Sequence, residues 1–494
     1  MSQFERLPVE ILTHIFQLAA WRPVTVSEDD ERWTISRVCR SWRNIVLNTP
    51  GLWTEINVDL IDSDNLTDPI HAALILSTAF RASADSDMPL HLTLQNWPEM
   101  DIQALPLLNV LAEHIWGCSS LIIDTTKVFE HRVDGISVFS FLRVSSPPSQ
   151  LRILTLMDNY RPEQFDYPDD SNVALTYSLI PHLNQLHSLK IRGLPAFCDG
   201  DSVPPFPWEQ IRYLEVKEFT RNQITEILRR CSNLETLVIH EDSFVNPGVL
   251  DDALEPVRVN SLRRLCIPAF YGPYPSSRVH HLSALLHIPN LQSLEIPGLS
   301  LFSDTEFIVD LIERSQCNLT SVDIDVVYCT DVTVERLLRL APHCTNLVLR
   351  GQLSSYLFDS IASRGLVPDL QYLSVRFPKD YGRAIGIYPL LQPILNAAKA
   401  LQSLSTLYID TYKEALDESE GLASEGTLRF ALQINSTPFS EHARSSRWLF
   451  KELRPTRIQD LRDTLSHAFI SAAREASSRS ADILREVFDC LFAG

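Results

Sequence analysis

A six-residue phrase of the form L-x-x-L-x-[LIV] recurs along most of this 494-residue chain and limits what the chain can fold into. It reads LRILTL (151–156), LHSLKI (186–191), IRYLEV (211–216), LETLVI (234–239), LRRLCI (262–267), LQSLEI (291–296), LTSVDI (319–324), LQYLSV (370–375) and LSTLYI (404–409). TNLVLR (345–350) is a degenerate copy, and CSSLIID (118–124) is a candidate earlier one. Most successive copies lie about 23 to 35 residues apart. Each phrase predicts one strand whose apolar side chains enter a core that a single repeat cannot close, so neighbours must stack. Helical phrases such as ITEILRR, FIVDLIERS and VERLLRLAPHC lie between the strands and predict the opposite side of an α-β solenoid.

The corners of the repeat carry a second pattern. Cys118, Cys231 and Cys344 each stand three residues before a repeat leucine and Cys317 stands two before, which predicts small buried thiols where helix turns into strand. None of the 9 cysteines forms a C-x-x-C pair, and none of the 14 histidines has a ligand spacing to Cys or Glu, so no metal or cofactor is expected. With 15 glycines and no G-x-G-x-x-G, Walker-type, G-x-S-x-G or H-E-x-x-H motif, no catalytic residue is nominated. The net charge of -19 argues against a phosphate-backbone binder and hence against nucleic acid as a partner. The amphipathic N-terminal region lacks a secretory apolar segment, and no apolar run is long enough to span a bilayer. The expected location is cytoplasmic or nuclear, with no membrane partner and reduced thiols.

The first fifty residues differ in kind. LPVEILTHIF places Leu7, Ile11, Ile15 and Leu18 at helical spacing, with Leu12 and Phe16 widening the stripe and Pro8 in a first turn that tolerates proline. A second stripe joins Ile35, Val38, Trp42 and Ile45, with Cys39 and Val46 beside it. Two short helices cannot bury this much apolar surface between them, so the surplus must meet a third helix, the following region or another protein.

Leu7, Pro8, Glu10, Ile11, Leu12, Ile15 and Phe16, then Val38-Cys39-Arg40-Ser41-Trp42-Arg43, then TPGLWTEI, follow in order the LP-x-E-[IL]-L…IF, VC-[RK]-x-W and Pro-x-LW phrases of the F-box, which this region resembles. The segment around WRPVTVSEDDER is longer than is usual for that family. The resemblance implies docking to the Skp adaptor of a cullin–RING ubiquitin ligase, with Leu7, Pro8, Ile11, Leu12, Ile15, Phe16, Val38, Cys39 and Trp42 burying against the adaptor or shaping that surface, and Phe16 and Trp42 as anchor candidates. The repeats resemble irregular leucine-rich repeats of the kind joined to F-boxes, many of them fungal. Their consensus Asn is met as Asn159 in the first copy and lost in most others, which predicts uneven curvature.

The expected architecture is α+β/α-β: a small helical F-box (1–56), an irregular leucine-rich-repeat horseshoe (57–435) and a helical C-terminal cap (436–494). A separate partner-binding helix pair is the alternative reading of that last stretch. The expected function is a non-catalytic substrate receptor of the ligase, with an interaction scaffold that transfers no ubiquitin as the alternative. An unidentified protein substrate would meet the outward strand positions Lys190, Arg192, Lys217, His240, Glu295, Asp323, Asp325, Arg350, Arg376, Tyr408 and Asp410, a face expected to run basic, acidic, basic with Glu215 interrupting it. The early basic run would suit an acidic or phosphorylated segment.

Overall fold

A computed structural model describes residues 7–26, 30–59, 69–84, 88–95, 105–124, 150–157, 183–192, 203, 206–217, 219, 221–240, 256–267, 286–296, 305–326, 331–351, 353–377, 388–413 and 426–433. It divides into two compact units, Met1–Leu262 and Arg263–Gly494. Asn159 and the expected cap at 436–494 lie outside the described residues.

The first unit opens with α1 (Val9–Ala19), β1 (Val24–Thr25), α2 (Glu31–Val38) and α3 (Arg40–Leu47). It continues through β2 (Glu55–Asp59), α4 (Pro69–Ala84), β3 (His91–Gln95), α5 (Leu105–His114), β4 (Ser120–Asp124), β5 (Ile153–Met157), β6 (Ser188–Arg192), β7 (Tyr213–Lys217), α6 (Arg221–Arg230), β8 (Thr236–Ile239) and β9 (Val257–Arg258). Strands β1 to β8 pair in chain order and in parallel. Parallel neighbours need a crossover, and the helical phrases between the leucine motifs supply it in several repeats. The register aligns the repeat exactly as the motif requires only if equivalent residues face each other, and they do: Leu154, Leu189, Leu214 and Leu237 form one column, and Leu156, Ile191, Val216 and Ile239 the next. All eight side chains are buried.

The second unit contains β10 (Arg264–Cys266), β11 (Leu286–His287), β12 (Ser293–Ile296), α7 (Thr305–Ser315), β13 (Ser321–Asp325), α8 (Asp331–Arg339) and β14 (Asn346–Arg350). After these come α9 (Ser355–Arg364), β15 (Tyr372–Arg376), α10 (Tyr388–Ala400), β16 (Thr406–Lys413) and β17 (Gly426–Gln433). Its columns are Leu294, Val322, Leu347, Leu373 and Leu407, and Ile296, Ile324, Leu349, Val375 and Ile409, again buried. The degenerate phrase at 345–350 keeps these columns, since its Leu347 and Leu349 occupy the inward positions. Strand β17 reverses direction and pairs antiparallel with β16.

A backbone device joins the entries of successive strands. The Arg212 carbonyl accepts N–H bonds from both Glu235 (2.8 Å) and Thr236 (2.9 Å), and Gln292 does the same for Thr320 (2.8 Å) and Ser321 (3.0 Å). Thr320 then serves Thr345 and Asn346, Thr345 serves Gln371 and Tyr372, and Gln371 serves Ser405 and Thr406. Hydroxyls reinforce the same carbonyls: Thr320 Oγ1 donates to Gln292, Thr345 Oγ1 to Thr320 and Ser405 Oγ to Gln371. Each repeat thus satisfies two backbone donors of the next.

The corner cysteines are buried, as their position predicts. Burial raises the thiol pKa of Cys231 to about 12 and of Cys317 and Cys344 to about 11, and pushes Cys118 higher still. Thiolate is the reactive species. At pH 8 the native chain is therefore expected to leave these four thiols unalkylated by iodoacetamide while the denatured chain loses all of them to the reagent; peptide mapping of native and denatured samples checks this.

On the helical side of the second unit, Glu335 of α8 gathers Arg339, Arg364, the Tyr356 hydroxyl (3.2 Å) and the Ser360 hydroxyl (3.4 Å), so α8 and α9 are tied through one carboxylate. Burial pulls its pKa upward, but the Tyr356 hydrogen bond and the two guanidiniums outweigh it and hold the group below the usual carboxylate value. A depressed folded pKa means stability that is complete above the ordinary glutamate pKa and is lost as pH falls through the folded value. Glu335→Gln is expected to lower the melting temperature at pH 7 and to narrow its gap from wild type as the pH drops below 4.5, the ordinary value, in matched thermal melts. The helix that closes this pairing, α9, begins with Ser354 accepting from the Leu357 N–H and ends at Gly365, whose φ of 58° suits a residue without Cβ.

Candidate functional site

Helix α1 starts directly after Pro8, whose carbonyl accepts from the N–H groups of Ile11 and Leu12 at 3.1 Å. No side chain caps it. Its inner face is Leu12 and Phe16, both buried, and the Phe16 ring packs against the half-buried Trp42 ring at a centroid distance of 5.0 Å. The expected adaptor contacts therefore divide. Leu12 and Phe16 are interior, and the Phe16 ring already has a partner inside the chain. Ile11, Ile15 and Leu18 are 49, 42 and 65 % exposed and share one flank of α1 by their spacing of four and three residues. Val9, Trp21 and Val38 are exposed too, Pro8 is exposed, and Leu7 is half-buried.

The second stripe is not one helix. The chain breaks at Cys39, which takes an extended conformation (φ -160°, ψ 169°), and α2 and α3 lie on either side. Cys39 caps α3, its Sγ accepting from the Trp42 N–H at 3.5 Å, so its role within the chain is to start a helix. Ile45 and Val46 turn inward. Trp53, from the exit phrase, is fully buried, donates Nε1–H to the Val46 carbonyl at 2.9 Å and meets the Trp33 ring at 5.3 Å.

The long segment between α1 and α2 holds the feature that sequence reasoning missed. Asp30 caps α2 by accepting from the Arg32 N–H (2.9 Å) and also accepts from the Thr25 N–H of β1 (3.1 Å). Arg32 folds back onto both Asp30 oxygens (3.1 and 3.0 Å) and donates to the carbonyls of Leu52 (2.6 Å), Ala20 (3.0 Å) and Arg22. Both side chains are nearly fully buried. One guanidinium thus ties the end of α1, the start of α2 and the exit phrase together, while β1 pairs in parallel with β2, Val24 opposite Ile56. An acidic helix start followed two residues later by arginine is the only trace of this in the sequence.

Residues 4–59 match the F-box-like family. No curated protein matches the chain. The matched segment includes β2 and so reaches into the sheet of the first unit; residue 57, expected to begin the repeat region, lies inside that strand. This F-box-like segment holds the largest concentration of exposed large apolar side chains among the described residues, since Val9, Ile11, Ile15, Leu18, Trp21 and Val38 all belong to it.

The expected substrate-face residues fall on the strands, with partners that the sequence did not reveal. In the first unit Lys190, Glu215 and Val238 share a column, and Arg192 stands beside Lys217. Glu215 is buried and receives Tyr213 Oη–H (2.9 Å), His240 Nε2 (2.8 Å) and Lys190 Nζ (3.4 Å), with Lys190 also 5.4 Å above the Tyr213 ring. Lys190 and His240 are thus turned toward an internal carboxylate. Lys217 is half-buried.

In the second unit Glu295 and Asp323 are neighbours in one column that continues through Val348 and Ser374 to Tyr408, and Asp325, Arg350, Arg376 and Asp410 form the adjacent one. Glu295 pairs with Arg264 at 2.7 Å and Asp323 pairs with Arg350. Burial raises the Asp323 pKa against the pull of Arg350, and the charge of Glu295 adds to the rise. Arg376 Nε lies 3.4 Å from Ser374 Oγ. Among the described residues no group of three His, Cys, Asp or Glu side chains could hold a metal, and no helix is long and apolar enough to cross a membrane.

Proposed function

We propose that the chain is the substrate-recognition subunit of a Skp–cullin–F-box ubiquitin ligase, in which the F-box-like segment docks the adaptor and the outward strand positions hold a protein substrate. The observation that carries this reading is the flank Ile11, Ile15 and Leu18, apolar and open on a helix whose other face is already packed. Val9, Trp21 and Val38 extend the apolar surface offered by the segment, and an exposed tryptophan is a favourable anchor for an interface. The adaptor contacts assigned by the resemblance that are open to solvent are Pro8, Ile11, Ile15 and Val38; Leu7, Cys39 and Trp42 contribute from partly covered positions. Leu12 and Phe16 shape the surface from beneath.

The remainder of the chain reads as irregular leucine-rich repeats of a fungal-type F-box protein: parallel strands in chain order, crossover helices and inward Leu columns support it. We assign 1–56 to the F-box, 57–435 to the repeats and 436–494 to a terminal cap. The mechanism is proximity. A receptor of this kind raises the local concentration of substrate beside the ubiquitin-carrying partners and contributes no nucleophile of its own.

Affinity capture on the full chain tests the reading. Recovery of both Skp adaptor and cullin supports a ligase receptor, recovery of the adaptor without cullin supports an interaction scaffold, and recovery of neither refutes adaptor docking.

A further inference from the structure

Of the 43 basic residues in the chain only seven are lysine: Lys127, Lys190, Lys217, Lys379, Lys399, Lys413 and Lys451. Seven arginines and no lysine precede Lys127, and thirteen arginines and no lysine separate Lys217 from Lys379. Arginine is the better residue where a planar fork must satisfy several acceptors, and Arg32 is such a place. Three exposed ion pairs among the described residues make no such demand. Arg212 meets Glu235 at 3.6 Å with both side chains at least half exposed, Arg230 meets Glu226 at 2.9 Å within one helix, and Arg336 reaches Glu313 at 3.0 Å. Exposed pairs of this kind contribute about 0 to 1 kcal/mol whichever cation supplies them. Lysine would supply the same charge to these partners.

The chemical difference lies in nucleophilicity. A lysine Nζ, once deprotonated, attacks the carbonyl carbon of a ubiquitin thioester; the C–N bond forms, the C–S bond breaks, and the carrier's cysteine leaves as a thiolate that takes up the proton released by the amine. A guanidinium stays protonated and delocalised and does not make this attack. We propose that the surface of this chain is kept poor in amine acceptors, so that while docked in a ligase it escapes the conjugation it directs at its substrate. The inference rests on the receptor reading above. Lys190 fits it as well: its Nζ is held 3.4 Å from the buried Glu215 carboxylate and over the Tyr213 ring.

The test reconstitutes the full chain with Skp adaptor, cullin–RING module, charged conjugating enzyme and ubiquitin, and compares wild type with the triple variant Arg212→Lys, Arg230→Lys, Arg336→Lys. Thermal melts that coincide show that the exchange leaves the fold intact. Docking holds the chain at high effective concentration beside the thioester, so total ubiquitin on the variant is expected to rise at least about threefold over wild type. Ubiquitin remnants should map to the new lysines. Adding Ile11→Asp and Ile15→Asp should return conjugation to background. Unmodified new lysines in a complex that retains adaptor and cullin would overturn the inference and leave the receptor reading standing, as would wild type conjugated as heavily as the variant. A chain that recruits neither adaptor nor cullin overturns both.

Discussion

The full chain carrying Ile11→Asp and Ile15→Asp is expected to bind the Skp adaptor on the order of 10² to 10⁴-fold more weakly than wild type while its thermal melt is unchanged. Each isoleucine buried at an interface contributes roughly 1.5 to 3 kcal/mol, and every 1.4 kcal/mol or so is tenfold in affinity. Both side chains are more than two-fifths exposed on α1, so the aspartates meet water in the free chain and desolvation is imposed only on docking. Titration calorimetry or surface binding against purified adaptor gives the affinity. Unaltered binding would place the adaptor elsewhere. Phe16→Ala is the instructive contrast: its ring packs on Trp42 inside the segment, so its loss should lower stability first, with binding following only as the helices loosen.

Arg32→Met should destabilise the F-box-like segment by about 3 to 5 kcal/mol, the usual cost of removing one partner of a buried pair. The substitution leaves the Asp30 carboxylate buried beside β1 and strips donors from the carbonyls of Leu52, Ala20 and Arg22. Methionine preserves much of the side-chain length, so the loss reports the guanidinium and not a cavity. Adding Asp30→Asn removes the stranded charge and keeps an acceptor for the Arg32-position and Thr25 N–H groups, so it should recover part of the loss but not all, because the three carbonyls stay unpaired. Denaturant unfolding of the three variants, with limited proteolysis to locate the weakened region, measures both effects. If Arg32→Met melted like wild type, the cluster would not be what joins α1 to the exit phrase.

The apolar stripes announce helices at both ends of the F-box-like segment, and their surplus hydrophobicity announces that something remains uncovered. They do not say which residues. Leu12 and Ile11 are neighbours in the same motif, yet one is interior and the other is open, because only one face of α1, where Phe16 meets Trp42, packs inward. The break at Cys39 is equally hidden, since a stripe counted by threes and fours runs through it without interruption. The electrostatics of the strand face were legible as residue types and not as pairs. Glu215 was visible as an interruption in a basic run, whereas its capture of Lys190, His240 and Tyr213 depends on cross-strand register and on the place of His240 just beyond β8.

The sequence by itself determined the repeat, the positions that point into the core, the buried corner cysteines and the place of the helices, because period and polarity are local properties that each segment carries alone. Tertiary structure alone decided which flank of α1 stays open, that Asp30 and Arg32 form an internal clamp, and that one carbonyl per repeat receives two backbone donors at the entry of the next strand. These depend on groups brought together across tens of residues, where a hydrogen bond or a covering ring leaves no periodic mark on the chain. The opening helices leave an apolar flank open only because the rest of the segment packs against their other side.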